Sequence, residues 1–199
     1  MTFAEAYERV KPFTILSPER LQGLWNAVHR VNEDDVAGEL IECGCFKGGS
    51  LAMLGLADDT DRCLIGFDTF EGMPAPSAED EGTVPAEEGT CKASLLDVEA
   101  VLEGLGLDNY FLVKGLFGDT LPGNLNEIAV LHVDCDWYES VKQVLEHLYP
   151  QVSVGGVVQV DDYGHWRGCQ KAVDEYFAAI NVTPKIERLD YTGIQFRKP

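Results

Sequence analysis

The chain has 199 residues, 45% of them hydrophobic, which suits one well-filled α/β domain over 1–199 and is short for two. With 34 acidic residues against 15 basic ones the formal charge is −19, which opposes broad contact with nucleic-acid phosphates or anionic membranes. Six cysteines without Cys-x-x-Cys spacing point to reduced thiols. No basic-then-apolar leader opens the chain, so the expected location is cytoplasmic, and no segment approaches membrane-spanning length.

Residues 1–35 read as an N-terminal helical segment. Ser17-Pro18-Glu19 supplies a cap, a first-turn proline and an acid, and Leu21, Leu24, Trp25, Val28 and Val31 then recur at helical spacing. Apolar runs at 39–43, 63–67, 110–113, 129–133 and 157–160 predict five strands, and helical patterns at 51–57, 94–102, 141–148 and 169–180 lie between or after them. This alternation predicts a parallel, doubly wound sheet with right-handed crossovers. Two short strands, 185–190 and 194–197, joined at Tyr191-Thr192-Gly193, add a terminal antiparallel hairpin. The acidic stretch 71–93 has no periodicity and is a long loop, either a lid or a solvated linker.

Two aspartate pairs carry the strongest chemical signal. Asp134 and Asp136 follow the fourth run, and Asp161 and Asp162 end the fifth. Both pairs fall at carboxyl ends of parallel strands, where open α/β sheets bind ligands. Crowded carboxylates repel unless neutralised, and oxygen-only ligation suits Mg²⁺, Mn²⁺ or Ca²⁺. The first strand runs into Glu42-Cys-Gly44-Cys-Phe-Lys-Gly48-Gly49-Ser50, a glycine-rich strand-to-helix turn. The second ends in Phe67-Asp68-Thr69-Phe70, an acid where a ribose diol is bound. Together they predict a nucleoside-bearing cofactor. His132, inside a strand, reads as a hydrogen-bonded core residue.

The motifs Thr14-Ile-Leu-Ser-Pro-Glu-Arg-Leu, Ile41-Glu-Cys-Gly-Cys-Phe-Lys-Gly-Gly-Ser, Phe67-Asp-Thr-Phe-Glu-Gly-Met-Pro, Lys114-Gly-Leu-Phe-Gly-Asp-Thr-Leu-Pro, Leu131-His-Val-Asp-Cys-Asp-Trp-Tyr-Glu-Ser and Gly155-Gly-Val-Val-Gln-Val-Asp-Asp-Tyr-Gly-His-Trp follow one another through nearly the whole chain. In that order they resemble the macrocin O-methyltransferase family, which methylates sugar hydroxyls of antibiotics with S-adenosylmethionine and Mg²⁺. The resemblance implies the Rossmann-like class I methyltransferase fold: a mostly parallel seven-stranded sheet, helices on both faces and a reversed last strand. It implies that Glu42, Gly44, Gly48 and Ser50 hold the methionine end of the cofactor, that Asp68 accepts both ribose hydroxyls with Phe70 beside it, and that Phe117 and Gly118 lie near the adenine. Asp134, Asp161 and Asp162 would ligate Mg²⁺ or Mn²⁺, leaving Asp136 as general base, with His165 second.

Asp136 is expected on the same face as Asp134 if the strand continues. The partner would be a small-molecule sugar or glycoside, with neither nucleic acid nor membrane, and a homodimer is the default assembly. A catechol or phenolic diol methyltransferase is the rival enzyme. The lysine base usual in such enzymes is absent, and Trp137, Tyr138 and Glu139 occupy its neighbourhood. A non-catalytic cofactor-binding subunit is the rival from another class.

Overall fold

The computed structural model describes residues 1–80, 87–121 and 126–199. Five strands form the parallel part of one sheet: β1 (Glu39–Cys43), β2 (Leu64–Asp68), β3 (Tyr110–Lys114), β4 (Ile128–Val133) and β5 (Val152–Val160). The chain closes with β6 (Glu187–Arg188) and β7 (Ile194–Arg197), and β7 inserts antiparallel between β5 and β6. The order is β3-β2-β1-β4-β5-β7-β6. The seven strands and the reversed last strand agree with expectation. β5 is longer than its apolar run because it begins at Val152, ahead of Gly155 at φ +84°, and its register against β4 shifts between Ile128 and Val130.

Helices cover both faces. α1 (Phe3–Val10), α2 (Pro18–Glu33), α3 (Gly49–Ala57) and α4 (Leu95–Gly104) pack with Leu40, Val130 and Val157 on one side. The short α5 (Phe117–Thr120), α6 (Tyr138–Leu148) and α7 (Arg167–Ala179) lie with Ile41, Leu131, Val133, Val158 and Val160 on the other. Neighbouring strand residues thus feed opposite cores, which is why these strands read as unbroken apolar runs. Helix α1 falls within the segment 1–35 read as helical, which divides into α1 and α2. Thr2 and Glu5 cap it reciprocally, and Ala6 and Val10 bury its inner face. Among the described residues, no helix is long and apolar enough to cross a membrane.

The strand order reverses between β1 and β4, and a crevice opens there at the carboxyl ends of the strands. The two turns at that point touch closely. Gly44 has φ +94°, and a Cβ placed on it would lie 1.8 Å from the Asp134 carbonyl oxygen, so only glycine lets the β1 turn lie against the β4 turn.

Candidate active site

A cavity of about 630 Å³ occupies this crevice, within the usual range for a small-molecule site. Turns after all five parallel strands contribute, with Gly44 to Phe46, Asp68 and Thr69, Gly115 to Gly118, Asp134 to Trp137, and Asp161 and Asp162 on its walls. Phe13 to Leu16 and Arg20 close the α2 side, and Met73 to Ala75, Ser77, Asp80, Thr90 and Cys91, all from the loop after β2, complete the lining.

The carboxylates meet as expected. Asp134, Asp161 and Asp162 each offer an oxygen, all within 4.8 Å of one another. The ladder continues one residue past the strands, through Asp134 N to Cys43 O at 2.9 Å and Asp161 N to Val133 O at 3.0 Å, and this sets the two acids side by side. Asp161 and Asp162 are 2% and 8% exposed, and Asp161 Oδ1 and Asp162 Oδ2 have no hydrogen-bond partner among the described residues. Burial, then repulsion from Asp161, holds Asp134 well above the carboxylate range. Burial, then repulsion from Asp136, Asp161 and Asp134, does the same to Asp162. Crowded acids that repel one another, two of them with an unpartnered buried oxygen, form a hard-oxygen set suited to a divalent cation. One resident cation already intrudes: Arg20 of α2 pairs with Asp161 Oδ2 and, through Nε at 3.0 Å, with Asp190. Sequence reasoning left Arg20 without a role, although it lies in the quoted motif 14–21.

Asp136 reaches the cavity by a route other than the one expected. The strand stops at Val133, and Asp136 takes φ +60° in a tight turn closed by Trp137 N donating to Cys135 O at 2.6 Å, so strand alternation does not orient it. The Trp166 indole N–H donates to its Oδ1 at 2.8 Å. Burial outweighs that bond and, with repulsion from Asp161, brings its pKa up to about 6. His165 is exposed on the rim, its Nδ1 3.4 Å from the Tyr191 hydroxyl.

The expected cofactor residues divide. Gly44, Ser50, Asp68, Phe117 and Gly118 line the cavity, whereas Glu42, Gly48 and Phe70 do not. Glu42 is fully buried on the α2 face, its Oε1 2.7 Å from His132 Nδ1. Gly48 is the left-handed N-cap of α3 and packs against Val98, and Phe70 is in the core beneath. Asp68 accepts the amides of Cys45 (2.6 Å) and Phe46 (3.2 Å) on Oδ2 and of Phe70 (2.6 Å) on Oδ1. The Thr69 hydroxyl also lies 3.4 Å from Oδ1, but its one proton has the shorter partner in Gly72 O at 2.7 Å, so three of a carboxylate's roughly four acceptor directions are used and about one is left for a ribose hydroxyl rather than the expected two.

The loop after β2 is tied to the turn that carries Asp136. Trp137 Nε1 donates to Pro74 O at 2.9 Å. Asp80 takes the Tyr138 amide at 2.9 Å, capping α6 from a distance, and accepts from the Ser77 amide and hydroxyl at 2.9 and 2.7 Å. The middle of the expected lid, 81–86, lies outside the described residues.

A model of the macrocin O-methyltransferase (TylF) family matches residues 9–198. The chain belongs to this family. It is an O-methyltransferase. It is 36% identical over 196 residues to the Streptomyces olivaceus 8-demethyl-8-(2,3-dimethoxy-alpha-L-rhamnosyl)-tetracenomycin-C 4'-O-methyltransferase, covering 92% of this chain and 75% of that protein. Identity is 32% over 197 residues with the demethyldecarbamoylnovobiocin O-methyltransferase of Streptomyces niveus, covering 93% and 75%. The solved structure of the O-methyltransferase NovP superposes with a TM-score of 0.83 at 30% identity, over 94% of this chain and 82% of that one. The calicheamicin methyltransferase CalS11 shares the fold, with a TM-score of 0.77 at 21% identity, over 98% and 91%. Macrocin O-methyltransferase family membership and the observed sheet agree with the sequence reading.

Proposed function

We propose that this O-methyltransferase moves a methyl group from S-adenosylmethionine to a sugar hydroxyl of a glycosylated small molecule, with Mg²⁺ or Mn²⁺ at Asp134, Asp161 and Asp162. The observation that carries the reading is the trio of carboxylates on the cavity wall, their oxygens within 4.8 Å of one another, with Asp161 and Asp162 buried and each keeping one oxygen without a hydrogen-bond partner among the described residues. The relatives support the acceptor class: one methylates a rhamnosyl-tetracenomycin, and the mycinamicin III 3''-O-methyltransferase of Micromonospora griseorubida is 30% identical over 200 residues.

When bound, the cofactor supplies an electrophilic methyl group and the metal a Lewis acid that makes a sugar hydroxyl more acidic. The chain's own residues do the rest. Gly44 and Ser50 border the space for the methionine end, Asp68 keeps one acceptor direction for the ribose, and Phe117 and Gly118 flank the base. Asp136 accepts the acceptor hydroxyl's proton on Oδ2, while Trp166 holds its Oδ1 and fixes the carboxylate's orientation. Trp137, Met73 and Pro74 exclude water on the loop side.

Among the described residues, Arg20 is the only lysine or arginine lining the cavity, and Lys142 sits over the Tyr138 ring at 5.6 Å. That favours a carboxylate base over the lysine of catechol-type enzymes. Calorimetric titration of S-adenosylmethionine and S-adenosylhomocysteine, with NAD⁺ as control, tests the cofactor. Binding of the first two alone is expected, and binding of neither would sink the reading.

A further inference from the structure

On the α2 face of the sheet, Glu42, His132, Gln159 and Gln195 occupy matched positions of β1, β4, β5 and β7, and all four are buried. Two residues earlier on the same face stand Leu40, Val130 and Val157, so a polar row replaces an aliphatic one just below the cavity. Such a row is costly unless its atoms are paired. The glutamines are paired: Gln159 donates to Arg20 O at 3.2 Å, and Gln195 donates to Gly23 O and to Gln159 Oε1, each at 3.1 Å.

The acid and the imidazole are arranged differently. Glu42 holds His132 Nδ1 at 2.7 Å. His132 Nε2 then points at Asp161 Oδ1 from 3.8 Å, too far for a hydrogen bond, and neither atom has a hydrogen-bond partner among the described residues. Arg20 takes the other oxygen of Asp161. A basic group therefore faces each oxygen of Asp161, and the one turned toward His132 is the one left for a metal.

We propose that His132, braced by Glu42, is a positioning residue that sets the direction of Asp161 Oδ1 and thereby the affinity of the metal site. The inference rests on the metal reading above. A carboxylate held only through Oδ2 by Arg20 can still tilt about its Cβ–Cγ bond, whereas the imidazole edge, locked from behind by Glu42 and 3.8 Å from Oδ1, limits that tilt by contact and charge rather than by a hydrogen bond. Groups behind metal ligands orient the ligand without touching the metal. A purely architectural His132 would influence melting temperature and leave metal affinity alone.

The test titrates Mn²⁺ alone into the full chain by calorimetry, for wild type, His132→Gln and the double variant Glu42→Leu/His132→Phe. Gln can reach Glu42 but not both carboxylates. The double variant removes the buried charges together and fills the space, so it strands no unpaired ion and folds even where the single variant does not. Both variants are expected to bind Mn²⁺ about 10–100-fold more weakly, with S-adenosylhomocysteine affinity within about twofold of wild type, because neither residue lines the cavity. Mn²⁺ affinity within about twofold of wild type in either folded variant overturns the proposal and leaves the metal reading intact. A wild-type chain that fails to bind Mn²⁺ overturns both.

Discussion

Asp162 sets stability against function. It is 8% exposed, its Oδ2 lacks a hydrogen-bond partner among the described residues, and its ligand oxygen lies within 4.8 Å of those of Asp134 and Asp161. Two full charges 4.8 Å apart at an effective dielectric constant of about 20 repel by about 3 kcal/mol. Taking up a proton relieves part of this at its own cost, since Asp162 must then be held neutral at a pH where the unfolded chain ionises it. About 1–3 kcal/mol is therefore stored at this side chain in the metal-free protein.

Asp162→Asn keeps the shape and removes the charge. Without metal, the variant is expected to melt about 2–10 °C above wild type near neutral pH, at about 2–4 °C per kcal/mol for a chain of this size. Mg²⁺ at about a hundred times its Kd should stabilise wild type by about 2.7 kcal/mol and the variant hardly at all. The gap in melting temperature then closes or reverses. Thermal unfolding in EDTA and in Mg²⁺ reads both arms. A metal-free variant that melts below wild type yet still gains from Mg²⁺ would refute the reasoning.

Other expectations follow from single contacts. Asp136→Asn should lower kcat by about 10²–10⁴ with Mn²⁺ affinity nearly unchanged, and activity within a few-fold of wild type would remove Asp136 as the base. Gly44→Ala would put a methyl group 1.8 Å from the Asp134 carbonyl oxygen. It should cost more than about 3 kcal/mol, which melting experiments would show as a fall of at least about 6 °C. Asp80→Ala removes the acceptor for the Tyr138 amide and the Ser77 anchor. A loss of about 1 kcal/mol in stability and a several-fold rise in acceptor KM are expected, and an unchanged KM would reduce the 73–80 segment to a passive linker.

The central parallel strands β1 and β4 were legible because a strand buried on both faces needs an uninterrupted apolar run, the edge strand β3 was legible from its apolar run although Phe111 is exposed, and the terminal hairpin because Tyr191-Thr192-Gly193 separates two short extended runs. Helix α1 was legible as part of the helical segment 1–35, and its own bounds are written in Thr2 and Glu5 at capping-box spacing and in Phe3, Ala6, Tyr7 and Val10 at helical spacing. The site was legible as a set of acids at strand ends and not as directions. Glu42 precedes the glycine-rich turn, yet alternation turns it beneath the sheet's end toward α2. Asp136 keeps its place in the cavity although the chain leaves the strand at Val133. Arg20 lies 141 residues from the carboxylate it neutralises, a pairing that no local pattern announces.

The most direct test of the account is release of S-adenosylhomocysteine by the purified protein, measured with a rhamnosylated polyketide acceptor and with catechol, each in Mg²⁺ and in EDTA. The account predicts turnover with the glycoside in Mg²⁺, loss of that turnover in EDTA, and little with catechol. Glycoside turnover that persists undiminished in EDTA would contradict the role given to Asp134, Asp161 and Asp162.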